Sequence, residues 1–171
     1  MAELLALDMG SWFSPFLFSG ETMLTLEALF SQFKDRLIYH VEVKEPQQDL
    51  IRKVLAMVKT HHLDSNVIIT SKHFDTLVEA KSISATTGTG WLQRKGFFTE
   101  DCVNRSAKAG FFQICPHAQD VNSRTVEAAH ARGLEVRAWG VSTIELAQQA
   151  IDSGCDGFTI NWPDWFVHED H

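Results

Sequence analysis

The stretch YHVEVKEP, Tyr39 to Pro46, decides how this chain is read. In an extended strand residues two apart share a face, so His40, Glu42 and Lys44 point one way and Tyr39, Val41 and Val43 the other. One face is apolar and the other carries an acid and a base. Taken alone, the pattern also fits a strand at a sheet surface, with both charges in water and a weak Glu42–Lys44 contact between them. The sequence on either side separates the two readings.

Further β-rich runs follow it in series. After LIYHVEVK (37–44) come NVIITS (66–71), GWLQ (90–93), FFQIC (111–115), LEVRAW (134–139) and GFTIN (157–161), with starts roughly 20 to 29 residues apart, enough for a strand, a helix and two loops. Helical signals fill the intervals. Pro46 suits a first helical turn, and Leu50, Ile51, Val54, Leu55 and Val58 follow at helical spacing. Thr99 precedes Glu100 and Asp101 at a helix start that Gly110 can close in a left-handed conformation. Asn122 or Ser123 opens the next helix and Gly133 ends it. Ser142 to Glu145 reads as a capping box for a helix running to Gly154.

Strict alternation of strand and helix implies a parallel sheet with right-handed crossovers, open and doubly wound or closed as a barrel. A central strand of an open sheet tends to be apolar on both faces, whereas a barrel interior near its C-terminal mouth accepts functional polar groups. The polar face of His40, Glu42 and Lys44 therefore favours a barrel. A full (β/α)8 barrel needs eight strands and about 200 residues or more, and this chain of 171 residues offers six runs. The expected fold is α/β: an incomplete (β/α)8 TIM barrel of six parallel strands with alternating helices.

Residues 1–24 read differently. A helical turn is followed by Gly10, Pro15 and Gly20 with Trp12, Phe13, Phe16 and Phe18 between them, the pattern of a compact loop with hydrophobic anchors. Such aromatics act either as a lid over a pocket or as a plug packed beneath the loop, and the plug is the expectation. Composition bounds the rest. With 44% hydrophobic residues the chain can build a core, and a net charge of −7 without a long basic run argues against nucleic acid or an anionic membrane surface as the main partner. Cys102, Cys115 and Cys155 are odd in number and widely spaced, so neither a disulfide framework nor a Cys-rich zinc site is expected. No run approaches the ~20 apolar residues of a membrane span, which leaves a soluble, cytoplasmic protein as the default expectation.

The segments LLALDMGSWFSPFLFSGETMLTLEALF, VEVKEP and VNSRTVEAAHARGLEVRAWGVSTIELAQQAIDSGCDGFTINWPD, in this order and spacing, resemble the glycerophosphodiester phosphodiesterase family over nearly the entire chain. Leu24, before TLEAL, departs from the proline common in that family. The resemblance implies a PLC-like, metal-dependent (β/α)8 barrel, a phosphoric diester hydrolase of lipid metabolism that releases an alcohol and glycerol 3-phosphate. It implies a single partial domain over 1–171, with 1–24 as the inserted region and 25–171 as barrel strands three to eight. By position it makes Glu42 a metal ligand, Lys44 the catalytic and phosphate-binding lysine, and Trp139 a wall of the substrate pocket. A hard cation such as Mg2+ or Ca2+ takes carboxylate oxygens and offsets charge on a phosphoryl group, and Lys44 would act as a point charge on the same phosphate. A small-molecule glycerophosphodiester is the implied partner.

The family's H-R-G and H-D histidine motifs and its E-L-D carboxylates have no counterpart here. Of the eight histidines, His61 and His62 at a helix end, His130 in a helix, and His168 and His171 on the tail read as surface residues, and only His40 and His117 are offered as substitutes. The expectation is a chain inactive or nearly so by itself, its cation weakly held if at all. The alternative is a non-catalytic phosphate-binding or interaction module. Strands at 37–44 and 157–161 should then be sheet edges, prone to dimerise or to pair with a complementing fragment.

Overall fold

The computed structural model describes residues 2–166, so His168 and His171 lie outside the described residues. The chain divides into two compact units, Met1–Leu37 and Ile38–His171.

The first unit holds α1 (Ala2–Leu5) and α2 (Leu26–Phe33), the latter capped by the Thr25 side chain, which accepts from the Ala28 amide. The loop between them is closed by Asp8. Its carboxylate accepts from the amides of Gly10, Ser11 and Gly20 and from the Ser11 hydroxyl at 2.7 to 3.0 Å. These bonds, the Ser11 hydroxyl first, hold the Asp8 carboxyl well below the usual carboxylate range. The plug expected of the aromatics is not formed: Trp12 and Phe16 are 80% and 95% exposed. A polar clasp around one carboxylate closes this loop, so its rings are not needed inside it.

The second unit is a six-stranded parallel sheet whose strands pair in chain order and curl into a half-barrel. The strands are β1 (Tyr39–Glu42), β2 (Val67–Ser71), β3 (Gly88–Leu92), β4 (Gln113–Cys115), β5 (Glu135–Val141) and β6 (Gly157–Ile160). Each interval carries a helix: α3 (Leu50–Thr60), α4 (Phe74–Ile83), α5 (Glu100–Lys108), α6 (Ser123–His130) and α7 (Ile144–Asp152). β2 is buried along its whole length, as a central parallel strand between two covered faces must be. Its neighbour β1 is apolar on the helix side only, where Tyr39 and Val43 are buried. Ile51, Val54, Leu55 and Val58 of α3 are buried, the stripe that its helical spacing predicts.

Two local expectations are corrected. Pro46 does not open a helix; a turn through Gln47 intervenes, and α3 begins at Leu50 after Asp49 in a left-handed conformation with φ 60°. The cap of α7 is Thr143 rather than Ser142, because Thr143 accepts from the Leu146 amide and leaves Glu145 inside the first turn. The sequence also marked no start for α4. Its buried stripe is narrow, Thr76, Leu77 and Ala80, and Val78 is exposed, so the periodicity is weak. The caps Thr99 and Asn122 stand as expected, as do the left-handed glycines 110, 133 and 154.

Candidate active site

Alternation along parallel strands builds this site. Glu42 pairs in register with Thr70, Thr70 with Gly90, and Gly90 with Gln113, forming one layer across the concave face. Gly90 leaves the layer open. A Cβ there would lie 3.2 Å from both Cys115 Sγ and Thr70 Cγ2, so any side chain would press these neighbours apart by a few tenths of an ångström. Beneath the mouth the face is occupied by Cys115, Gln113 and Glu135, linked by Cys115 Sγ–Gln113 Oε1 at 3.4 Å and Gln113 Nε2–Glu135 Oε2 at 3.2 Å. Burial pushes the Cys115 thiol up to about 12, with Arg137 nearby opposing the shift.

Above this floor a cavity of about 760 Å³ opens at the carboxyl ends of the strands. Barrel enzymes place their chemistry at that end. Glu42 and Lys44 from β1 and its exit line it together with Trp139 of β5, so these three residues meet in one cavity. Their charges stand apart: among the described residues no Glu42–Lys44 ion pair forms within 4.0 Å, so the weak surface contact weighed for them is not made.

Trp139 is held from three directions. Its indole N–H donates to the Gln93 carbonyl at 3.0 Å, its amide donates to the Pro116 carbonyl at 2.9 Å, and the His117 ring meets it edge-on with centroids 4.7 Å apart. The Lys72 ammonium sits 5.6 Å from the centre of its ring, a cation–π arrangement. His117 does not line the cavity. Its Nδ1 accepts from the Gln119 amide and its ring packs on Trp139, which makes it a support for that tryptophan.

His40 does line the cavity, one layer below Glu42. Its Nδ1 is buried without a hydrogen-bond partner, and desolvation together with nearby Arg137 drives its pKa down to about 4. A second cavity histidine was not singled out in the sequence: His73 Nε2 lies 3.0 Å from the Lys44 carbonyl oxygen and 3.8 Å from Glu45. His130 pairs instead with Asp156 at 2.9 Å on the outer layer, the surface role expected of it.

The sequence reading also passed over three cations. Lys72 lies just beyond the end of β2, Arg94 just beyond β3, and Arg137 within β5, and all three line the cavity. The signal was the same alternation that exposed Glu42 and Lys44: Thr70 with Lys72, Leu92 with Arg94, and Arg137 with Trp139 are two apart and share a face.

A model of the "Glycerophosphoryl diester phosphodiesterase family" matches residues 1–165. The chain belongs to the glycerophosphoryl diester phosphodiesterase family. Among curated relatives is a Bacillus subtilis protein named "Putative glycerophosphodiester phosphodiesterase YhdW", 23% identical over 99% of this chain and 70% of its own length. A Galdieria sulphuraria crystal structure carrying the same description superposes with a TM-score of 0.82 at 20% identity, covering 96% of this chain and 67% of that one. An Oleispira antarctica phosphodiesterase solved with its product sn-glycerol-3-phosphate gives a TM-score of 0.76 at 22% identity, again over 96% and 67%. At these identities the structures share the fold, and the chain spans about two thirds of the length of these relatives.

The family reading implies a divalent cation, and the donors present do not fit one that is tightly held. Among the described residues no three His, Cys, Asp or Glu side chains gather as a ligand set. Among those residues Glu42 and Glu45 are the carboxylates lining the cavity, and four cationic side chains share it with them. Hard cations favour six or more oxygen ligands.

Proposed function

We propose that this member of the phosphodiesterase family binds a glycerophosphodiester in the cavity at the carboxyl ends of its strands, and that alone it turns the substrate over slowly or not at all. The observation that carries the reading is that Glu42, Lys44 and Trp139, residues the family resemblance singles out, line one cavity. Lys44 would hold the phosphate as a point charge and stabilise charge that develops on it. Trp139, locked by Gln93 and His117, would present a fixed wall to the glycerol or head-group carbons. Glu42 would contribute one carboxylate to a weakly held cation, which when bound offsets phosphoryl charge.

Hydrolysis needs a base to take a proton from attacking water and an acid to protonate the departing alcohol, each worth about 10² to 10⁴ in rate. The cavity histidines suit neither role well. His40 is desolvated beside Arg137, which leaves it without the acid's proton and makes it a weak base, and His73 Nε2 is turned to the Lys44 carbonyl oxygen and Glu45. Binding should therefore outlast turnover.

The test uses the full chain in two arms. Calorimetry with glycerol 3-phosphate should detect binding that Lys44→Ala weakens tenfold or more, and absence of binding would defeat the reading. Release of glycerol 3-phosphate from glycerophosphoglycerol, followed with Mg2+, Ca2+ or EDTA, should be near background. Metal-dependent release lost in Glu42→Ala would show instead that the chain is a competent enzyme. Binding without release is the expected outcome, in which the chain acts as a phosphate-binding module.

A further inference from the structure

The charge of the cavity runs against the charge of the chain. The molecule carries 22 acidic and 15 basic residues, net −7. Yet among the described residues the cavity is lined by four cations, Lys44, Lys72, Arg94 and Arg137, against two acids, Glu42 and Glu45. With histidines neutral, four minus two leaves this described lining at +2. None of the four cations ion-pairs with a carboxylate among the described residues. They enter from separate strands: Lys44 follows β1, Lys72 follows β2, Arg94 follows β3 and Arg137 lies in β5. They thus spread across the cavity wall instead of converging from a single loop. One phosphodiester carries one negative charge, which Lys44 already suffices to meet.

The aromatic wall points the same way. A cationic head group such as a quaternary ammonium would seek the face of Trp139, the one tryptophan lining the cavity among the described residues. That interaction is taken by the protein's own Lys72, 5.6 Å from the ring centre. A second cation there would meet repulsion from Lys72 before it met the ring. Two observations of different kind, surplus positive charge and a self-occupied aromatic face, thus disfavour a cationic ligand and favour one with further negative charge.

We infer that the cavity selects glycerophosphodiesters whose head group itself bears negative charge, with Lys72 and Arg94 as the residues that set this preference. The inference rests on the proposed binding of glycerophosphodiesters. Lys72 and Arg94 are exposed residues at strand exits, so their side chains reach the outer cavity, where a head group would extend from a phosphate held by Lys44. A charged partner in a cleft walled by low-dielectric protein is felt more strongly than in open water.

Calorimetry on the full chain at low salt would compare three diesters of rising negative charge: glycerophosphocholine, glycerophosphoglycerol and glycerophosphoinositol 4-phosphate. Affinity should rise along that series, with at least a tenfold gap between its ends that shrinks in 0.5 M salt as screening shortens to a few ångströms. Lys72→Ala and Arg94→Ala should each narrow the gap, weakening the inositol phosphate diester; Lys72→Ala should also strengthen the choline diester by freeing the Trp139 face. Equal affinities, or tighter binding of the choline diester by the unaltered chain, would overturn the inference while leaving the binding site intact. Failure of all three diesters and of glycerol 3-phosphate to bind would overturn both it and the proposed function.

Discussion

Gly140 shows how single residues tune this site. It lies in the cavity wall beside Trp139 with φ 74°, and a Cβ there would come within 2.8 Å of His117 Nε2. Gly140→Ala therefore combines a left-handed penalty of roughly 1 to 2 kcal/mol with displacement of the ring that supports Trp139. Thermal or urea unfolding should register the loss, and the tryptophan's near-ultraviolet dichroism should change with it. Cys115 offers a test of the floor. With its thiol pushed up to about 12 by burial, it should resist iodoacetamide at pH 8 in the native protein, while Cys102, which is not fully buried, reacts first. Mass spectrometry of the native digest reads the order, and early labelling of Cys115 would mean that the floor admits solvent.

Elements differ in what holds them. β2 is buried end to end, and Ile69 at its centre is fully inaccessible, so Ile69→Ala should cost about 2 to 5 kcal/mol in denaturant unfolding. At α7 the side chain of Thr143 meets one amide, and Thr143→Ala should cost only about 1 kcal/mol, a several-fold smaller effect in the same assay. The loop from Asp8 to Gly20 depends on charge. Asp8 titrates below its unfolded value of about 3.9, so its ionised form stabilises the loop above that pH, and the contribution disappears only as pH falls through the lowered value. Trp12 fluorescence should stay unchanged from pH 7 to pH 5. Asp8→Ala should instead speed proteolysis between residues 8 and 20 at neutral pH.

At the scale of the molecule, β1 and β6 each have one strand partner among the described residues, so each is an edge of the half-barrel sheet. Sedimentation should show self-association as concentration rises; a monodisperse monomer at high concentration would count against edge pairing. The alternation of β-rich runs with capped helices, and the acid and base two residues apart in β1, were legible in the sequence, because strand period, caps and left-handed glycines are local chemistry. Three features were not. The narrow stripe of α4 hid it, the Asp8 clasp depended on an amide twelve residues away, and Lys72, Arg94 and Arg137 come from separate strands that no local pattern joins. Which face a charged residue occupies follows from its own strand, and that much the sequence by itself determined for Glu42 and Lys44. Whether charges from separate strands share one cavity depends on register between strands and on the curl of the sheet. Those are non-local, and only the tertiary structure decided them, by bringing Lys72, Arg94 and Arg137 to the same mouth as Lys44.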